Sequence, residues 1–66
     1  MKLKECIGKL KRYTTYDIGF INDKGMEDET EFDLEKNPEK ELEECWNEFC
    51  KENGFNVNSV LYVEEA

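Results

Sequence analysis

The residues of this chain best suited to chemistry are its carboxylates. Glu27, Glu29, Glu31 and Asp33 stand two apart, and Asp17 lies in the preceding apolar-alternating stretch. Two carboxyls in unlike environments can work as general acid and base in glycoside hydrolysis, which requires a cleft between them. Acids spaced along a tight loop can chelate calcium. Acids in a row on an open surface present negative charge to a basic partner. An EF-hand loop wants acids at positions 1, 3 and 5, glycine at 6 and glutamate at 12. Starting from Asp17, Asp23 or any other acid here, the glycine and the glutamate never fall in register. The chain has no histidine, nucleophile elbow, glycine-rich phosphate loop or HExxH, so the usual general base and the commonest zinc ligand are missing. The expectation is a chain that is not an enzyme and takes neither a cofactor nor a specific metal.

The cysteines do not change this. There are three, an odd number with no Cys-x-x-Cys pair. Cys45 and Cys50 are five apart on a predicted helix, roughly 140° around its axis, and cannot bridge within it. Each cysteine falls on an apolar stripe, which reads as a buried thiol in a reducing cytosol.

The acids need a scaffold, and the chain writes one on either side of them. Tyr16, Ile18 and Phe20 alternate with Thr15, Asp17 and Gly19, the period of a strand. Asn22-Asp23-Lys24-Gly25 reads as a type I turn with Gly25 in the left-handed position. In the second strand Thr30, Phe32 and Leu34 face one way and Glu27, Glu29, Glu31 and Asp33 the other. If Asn22 pairs with Met26, then Phe20 faces Asp28, Ile18 faces Thr30, Tyr16 faces Phe32 and Thr14 faces Leu34. The apolar partners then share one face. The other face sets Asp17 across from Glu31, Thr15 across from Asp33 and Gly19 beside Glu29, an opposition of like charges that destabilises a sheet. Only Lys24 in the hairpin offsets it.

Asn37 to Gly54 reads as one amphipathic helix. Asn37 can accept from the free N–H groups of the first turn, and Pro38 suits the first helical position. Glu39 and Glu41 favour the positive end of the macrodipole. Leu42, Cys45, Trp46, Phe49 and Cys50 make a single stripe, with Trp46 at its centre as a core residue. Gly54 is placed to take the left-handed cap, and Phe55 to fold back on the last turn. A third strand is predicted over 56–64, with Val57, Ser59, Leu61 and Val63 on one side and Val60 and Tyr62 on the other. Residues 2–12 are predicted as a short helix with Leu3, Cys6, Ile7 and Leu10 inward, although Gly8 in its interior costs about 1 kcal/mol relative to alanine.

This order, α-β-β-α-β, specifies a fold. A right-handed crossover sets the third strand parallel to the second and antiparallel to the first. The expected fold class is therefore α+β: one two-layer domain over residues 1–66, with a three-stranded sheet in order 2-1-3 and two helices on one face. Val60, Leu61, Tyr62 and Val63 would then form an edge that a two-fold pairing could bury. At this length only about 60% of the unfolded surface is buried on folding, so the core is small.

Charge narrows the class of partner. The net charge is −8. Lys2, Lys4, Lys9, Lys11 and Arg12 stand against Glu5 in the first twelve residues, whereas residues 17–35 carry eight acids against Lys24. Direct binding of DNA or RNA is not expected, because phosphate backbones need a basic footprint. The lysines are expected to meet acids of the central helix or the hairpin. With no apolar signal segment and no apolar run beyond Val60–Val63, the chain is expected to be cytoplasmic and not membrane-bound.

The run Glu44-Cys45-Trp46-Asn47-Glu48-Phe49-Cys50-Lys51-Glu52-Asn53-Gly54-Phe55, continued by Asn58-Ser59-Val60-Leu61-Tyr62-Val63-Glu64, resembles small acidic proteins of bacterial mobile elements, of the conjugative-transposon and prophage type. The resemblance covers about the last third of the chain and carries no catalytic motif. It implies an accessory or counter-defence role, a class in which acidic mimicry of nucleic acid is common. The function expected is non-catalytic protein binding through Asp17, Glu27, Glu29, Glu31 and Asp33, with Tyr62 as an exposed aromatic anchor. The alternative is a structural or regulatory subunit that self-associates through the 57–63 strand.

Overall fold

The computed structural model describes all 66 residues. The elements run α1 (Leu3–Cys6), β1 (Thr15–Ile21), β2 (Glu27–Asp33), α2 (Pro38–Asn53) and β3 (Val60–Glu65). The sheet order is β2-β1-β3 and both pairings are antiparallel. This is the expected α+β architecture with the expected strand order.

The hairpin has the register its turn dictates. Asn22 N–H donates to Met26 O at 2.8 Å, Gly25 has φ 75°, and the Asn22 side chain accepts from the N–H groups of Lys24 and Met26. From there Phe20 faces Asp28, Ile18 faces Thr30 and Tyr16 faces Phe32. Leu34 N–H closes the ladder on Thr14 O at 3.0 Å.

The core lies between the sheet and the helices. Tyr16, Ile18, Phe20, Leu34 and Val60 meet Leu42, Trp46 and Cys50 of α2 and Leu3 of α1. Aromatic rings carry much of this contact. Phe20 meets Trp46, Phe49 and Phe55 at centroid distances of 5.3, 5.7 and 5.2 Å. The Trp46 indole N–H is satisfied by Val57 O at 2.9 Å, as a buried indole requires.

α2 stops where the sequence says it should. Gly54 takes φ 72°, and Phe55 N–H bonds Cys50 O while its ring packs on Phe49. Its start is different from the expectation. Asn37 makes no side-chain capping bond. Glu41 reaches back instead, its carboxylate accepting from Asn37 N–H at 2.8 Å and from Glu35 N–H. These are donors of the cap residue and the segment before it, not those of the first turn that an Asn37 side chain would serve, and a carboxylate there also suits the positive end of the helix.

Two further expectations are corrected. The predicted helix over 2–12 is one turn long. Cys6, Ile7 and Leu10 still pack on the core, but as an irregular strap. Gly8 weakens helical continuation, and Tyr13 must then turn the chain into β1, which it does at φ 53°. In β3 the expected alternation breaks. Tyr62 faces Gly19, yet Val60 and not Leu61 faces Phe20. The bulge at Leu61 inserts one residue, so Val60 and Val63 both turn toward the core while Tyr62 turns away. Val60 is fully buried, and residues 56–59 form the turn that leads into the strand.

Candidate functional site: the acidic outer face of the sheet

Both helices pack on one face of the sheet, which leaves the other open, and the hairpin register decides what stands there. Directly paired residues share a face, so the outer face reads in rows across the strands. One row is Glu31, Asp17 and Glu64; the next is Glu29, Gly19 and Tyr62; a third holds Asp33 and Thr15. Glu27 lies at the end of β2 opposite Ile21. Glu27, Glu29, Glu31 and Asp33 are exposed, and Asp17, in the central strand, is half-buried.

The ladder places the worst pair closest. Bonds at Asn22–Met26 and Thr14–Leu34, with a continuous register between them, make Asp17–Glu31 a non-hydrogen-bonded pair. Such pairs bring opposed side chains nearer than their hydrogen-bonded neighbours do. Asp17 Oδ1 is shielded from water and has no hydrogen-bond donor. The Asp17 charge, followed by partial desolvation, raises the pKa of the Glu31 carboxyl above the ordinary carboxylate range, with Asp33 and Glu29 adding to it. The raised value reflects the cost of holding two negative charges across one non-hydrogen-bonded pair.

Tyr62 sits beside this row in a built position. Its ring lies over Gly19, so closely that any Cβ there would fall inside it. Its hydroxyl donates to Glu29 Oε2 at 2.6 Å. That bond, ahead of desolvation, pushes the phenol pKa up to about 12. The Thr15 hydroxyl likewise donates to Asp33 Oδ1 at 2.6 Å. Neutral donors thus serve two of the flanking carboxylates, and no cation reaches the face. The single ion pair of the molecule joins Lys11 to Glu65 at 3.1 Å, elsewhere. The lysines of residues 2–12 form no ion pair with the central helix or the hairpin, contrary to expectation. They lie on a strap at the other side of the sheet.

The face brings together five of the six residues singled out from the sequence, Asp17, Glu29, Glu31, Asp33 and Tyr62, with Glu27 at its margin. Sequence reasoning missed Glu64. Its place opposite Asp17 depends on the bulge at Leu61, for which the sequence gives no local signal. Of the residues named for a self-pairing seam, Val60 has no exposed surface, and its N–H and C=O bond the Met1 backbone carbonyl and amino group. Leu61, Tyr62 and Val63 remain at least partly accessible.

The face is flat. None of the depressions in the surface is lined by Asp17, Glu29, Glu31 or Glu64. No three side chains of the metal-ligating kinds are grouped to hold an ion. Burial pushes the Cys50 thiol up to about 11 and also raises Cys45, so neither is poised as a thiolate. No helix is long and apolar enough to cross a membrane. Comparison of the chain with family models, with curated proteins and with solved structures finds no match.

Proposed function

We propose that this chain is a non-catalytic binding module whose outer sheet face engages a basic surface on another protein. Its carboxylates stand where that partner would otherwise hold nucleic-acid phosphates. Asp17, Glu29, Glu31, Asp33 and Glu64 form the contact, and Tyr62 supplies an aromatic anchor held in place by Glu29. One observation carries the reading: the Asp17–Glu31 opposition, with an undonated Asp17 oxygen and no cation on the face. A lysine or arginine from a partner would pair with the exposed Glu31 carboxylate and so relieve its repulsion with Asp17, whose Oδ1 is closed to solvent. A face without a cleft at its centre suits a macromolecular surface better than a small substrate. The module itself binds no nucleic acid, works in the cytoplasm, and fits the accessory proteins of mobile elements that its C-terminal third resembles.

The test is capture of partners from a cell extract on the immobilised protein, with and without competitor DNA or RNA. The expected catch is basic nucleic-acid-handling proteins, lost at high salt and displaced by the competitor. The Glu29→Gln/Glu31→Gln/Glu64→Gln variant should lose them. A catch indifferent to salt, competitor and variant would rule the reading out. The alternative, self-association through the third strand, draws on the half-buried Leu61 and Val63 at an outer strand. It requires a dimer that persists on dilution in light scattering.

A further inference from the structure

The two outer strands of the sheet are not equivalent. β3 begins with its outward backbone already used: Val60 N–H donates to Met1 O at 3.0 Å, and the Met1 amino group donates to Val60 O at 2.9 Å. β2 pairs only with β1, over seven residues and without a bulge. In the antiparallel pattern the residues of its non-hydrogen-bonded pairs, Glu27, Glu29, Glu31 and Asp33, direct their N–H and C=O groups away from β1. Of these, Glu29 N–H is occupied by the neighbouring Asp28 carboxylate at 2.8 Å. The rest of this edge has no partner in the chain. It has no proline, no lysine and no bulge.

What protects it is charge, and charge also selects what can dock. A second copy pairing through β2 would set one row of carboxylates against another, so self-pairing is opposed. On the helix side, the edge borders a shallow groove of about 190 Å³ lined by Phe32, Cys45 and Phe49 and walled by Glu48 and Glu52. An incoming strand would therefore meet carboxylates on one of its faces and aromatic carbon on the other.

We propose that β2 is a docking edge for an extended cationic segment of another protein, which adds to the sheet as a fourth strand, antiparallel to β2. Lysine or arginine at every second position would lie beside Glu29, Glu31 and Asp33. The intervening residues would be apolar, resting over Phe32 and Phe49. Main-chain bonds supply the affinity and the alternating pattern supplies the specificity. This rests on the acidic-face reading and narrows it from a basic surface to a basic strand.

Three labelled peptides test it by fluorescence anisotropy at low salt: acetyl-Lys-Val-Lys-Val-Lys-Val-Lys-amide, the same peptide N-methylated at its lysine amides, and a block isomer with its lysines contiguous. Hydrogen exchange of the protein is followed alongside. The alternating peptide should bind best and slow exchange at the Glu31 and Asp33 amides. N-methylation removes the donors aimed at β2 and should weaken binding by about tenfold or more. Equal binding of all three peptides, without amide protection, would overturn the strand-addition proposal and leave the acidic-face reading standing. Protection at Leu61 and Val63 instead would overturn it in favour of the other edge. If no cationic peptide binds, both fall together.

Discussion

Asp17 Oδ1 and Gly19 are the two positions where the outer face departs from what a sheet would choose for stability alone. At Asp17 the departure is electrostatic, and its sign with pH can be worked out. The Glu31 carboxyl has a higher pKa in the folded protein than in the unfolded chain. Its stabilising contribution is therefore fully present below the ordinary glutamate range and lost as pH rises through the raised value. Glu31→Gln removes the charge opposite Asp17 at every pH. It should melt a few degrees above the parent at neutral pH, and the gap should close as pH falls toward the carboxylate range. Thermal melts of both proteins across that window decide it; a gap that does not narrow would mean that Glu31 is not the titrating partner. At Gly19 the departure is steric. Tyr62 covers the glycine and reaches Glu29, a cross-strand arrangement in which an aromatic ring shields bare backbone. Gly19→Ala must expel the ring and break that hydrogen bond. The expected outcome is a lower melting temperature together with a fall of the Tyr62 phenol from about 12 toward ordinary tyrosine in an ultraviolet titration.

At the scale of elements, the parts that could be read in advance are those where two independent signals agree. The hairpin was legible because the glycine turn and the alternation of Tyr16, Ile18 and Phe20 against Thr30, Phe32 and Leu34 require the same register. α2 was legible because its stripe ends where Asn53-Gly54 ends it. Gly54→Ala tests that stop: the residue sits at φ 72°, where a side chain is strained, and nothing else crowds it. A loss of about 1 kcal/mol is expected, roughly 4–8 °C in a domain this small, measured by thermal or urea denaturation. The parts that misled were those with a single signal. Leu3, Cys6, Ile7 and Leu10 have helical spacing and do face the core, but spacing cannot distinguish a helix from a strap laid over the same surface. In β3, alternation counts every residue, whereas the fold skips Leu61 so that Val60 can fill the core and Tyr62 can cover Gly19. That choice is made by the partner strand, so Glu64 could not be placed beside Asp17 from its own neighbourhood. Asn37 is a good capping residue by type, but its side chain makes no capping bond, and residue type alone does not fix that geometry.

Over the whole molecule, the net charge of −8 is less telling than its segregation. Cations gather on the strap of residues 2–12, acids cover the open face, and Lys11–Glu65 alone forms an ion pair. A small domain has little core with which to offset such repulsion. Ions in solution should therefore stabilise it, because the glutamates of the outer face are exposed and those on adjacent strands stand closer than a Debye length, about 10 Å at 0.1 M salt. The melting temperature should rise with potassium chloride over the range where screening develops, and then level off. The Glu29→Gln/Glu31→Gln/Glu64→Gln variant should start higher and rise less, since it lacks the charges being screened. A flat response in the parent would show that the face carries no net repulsion, and the case for a cationic partner would lose its energetic basis. A rise of equal slope in both proteins would place the repulsion on α2, whose exposed side also carries Glu43, Glu44 and Glu48. The steeper parent response expected here ties the cost of the fold to the surface proposed to bind: what a basic strand would relieve by docking, salt relieves without it.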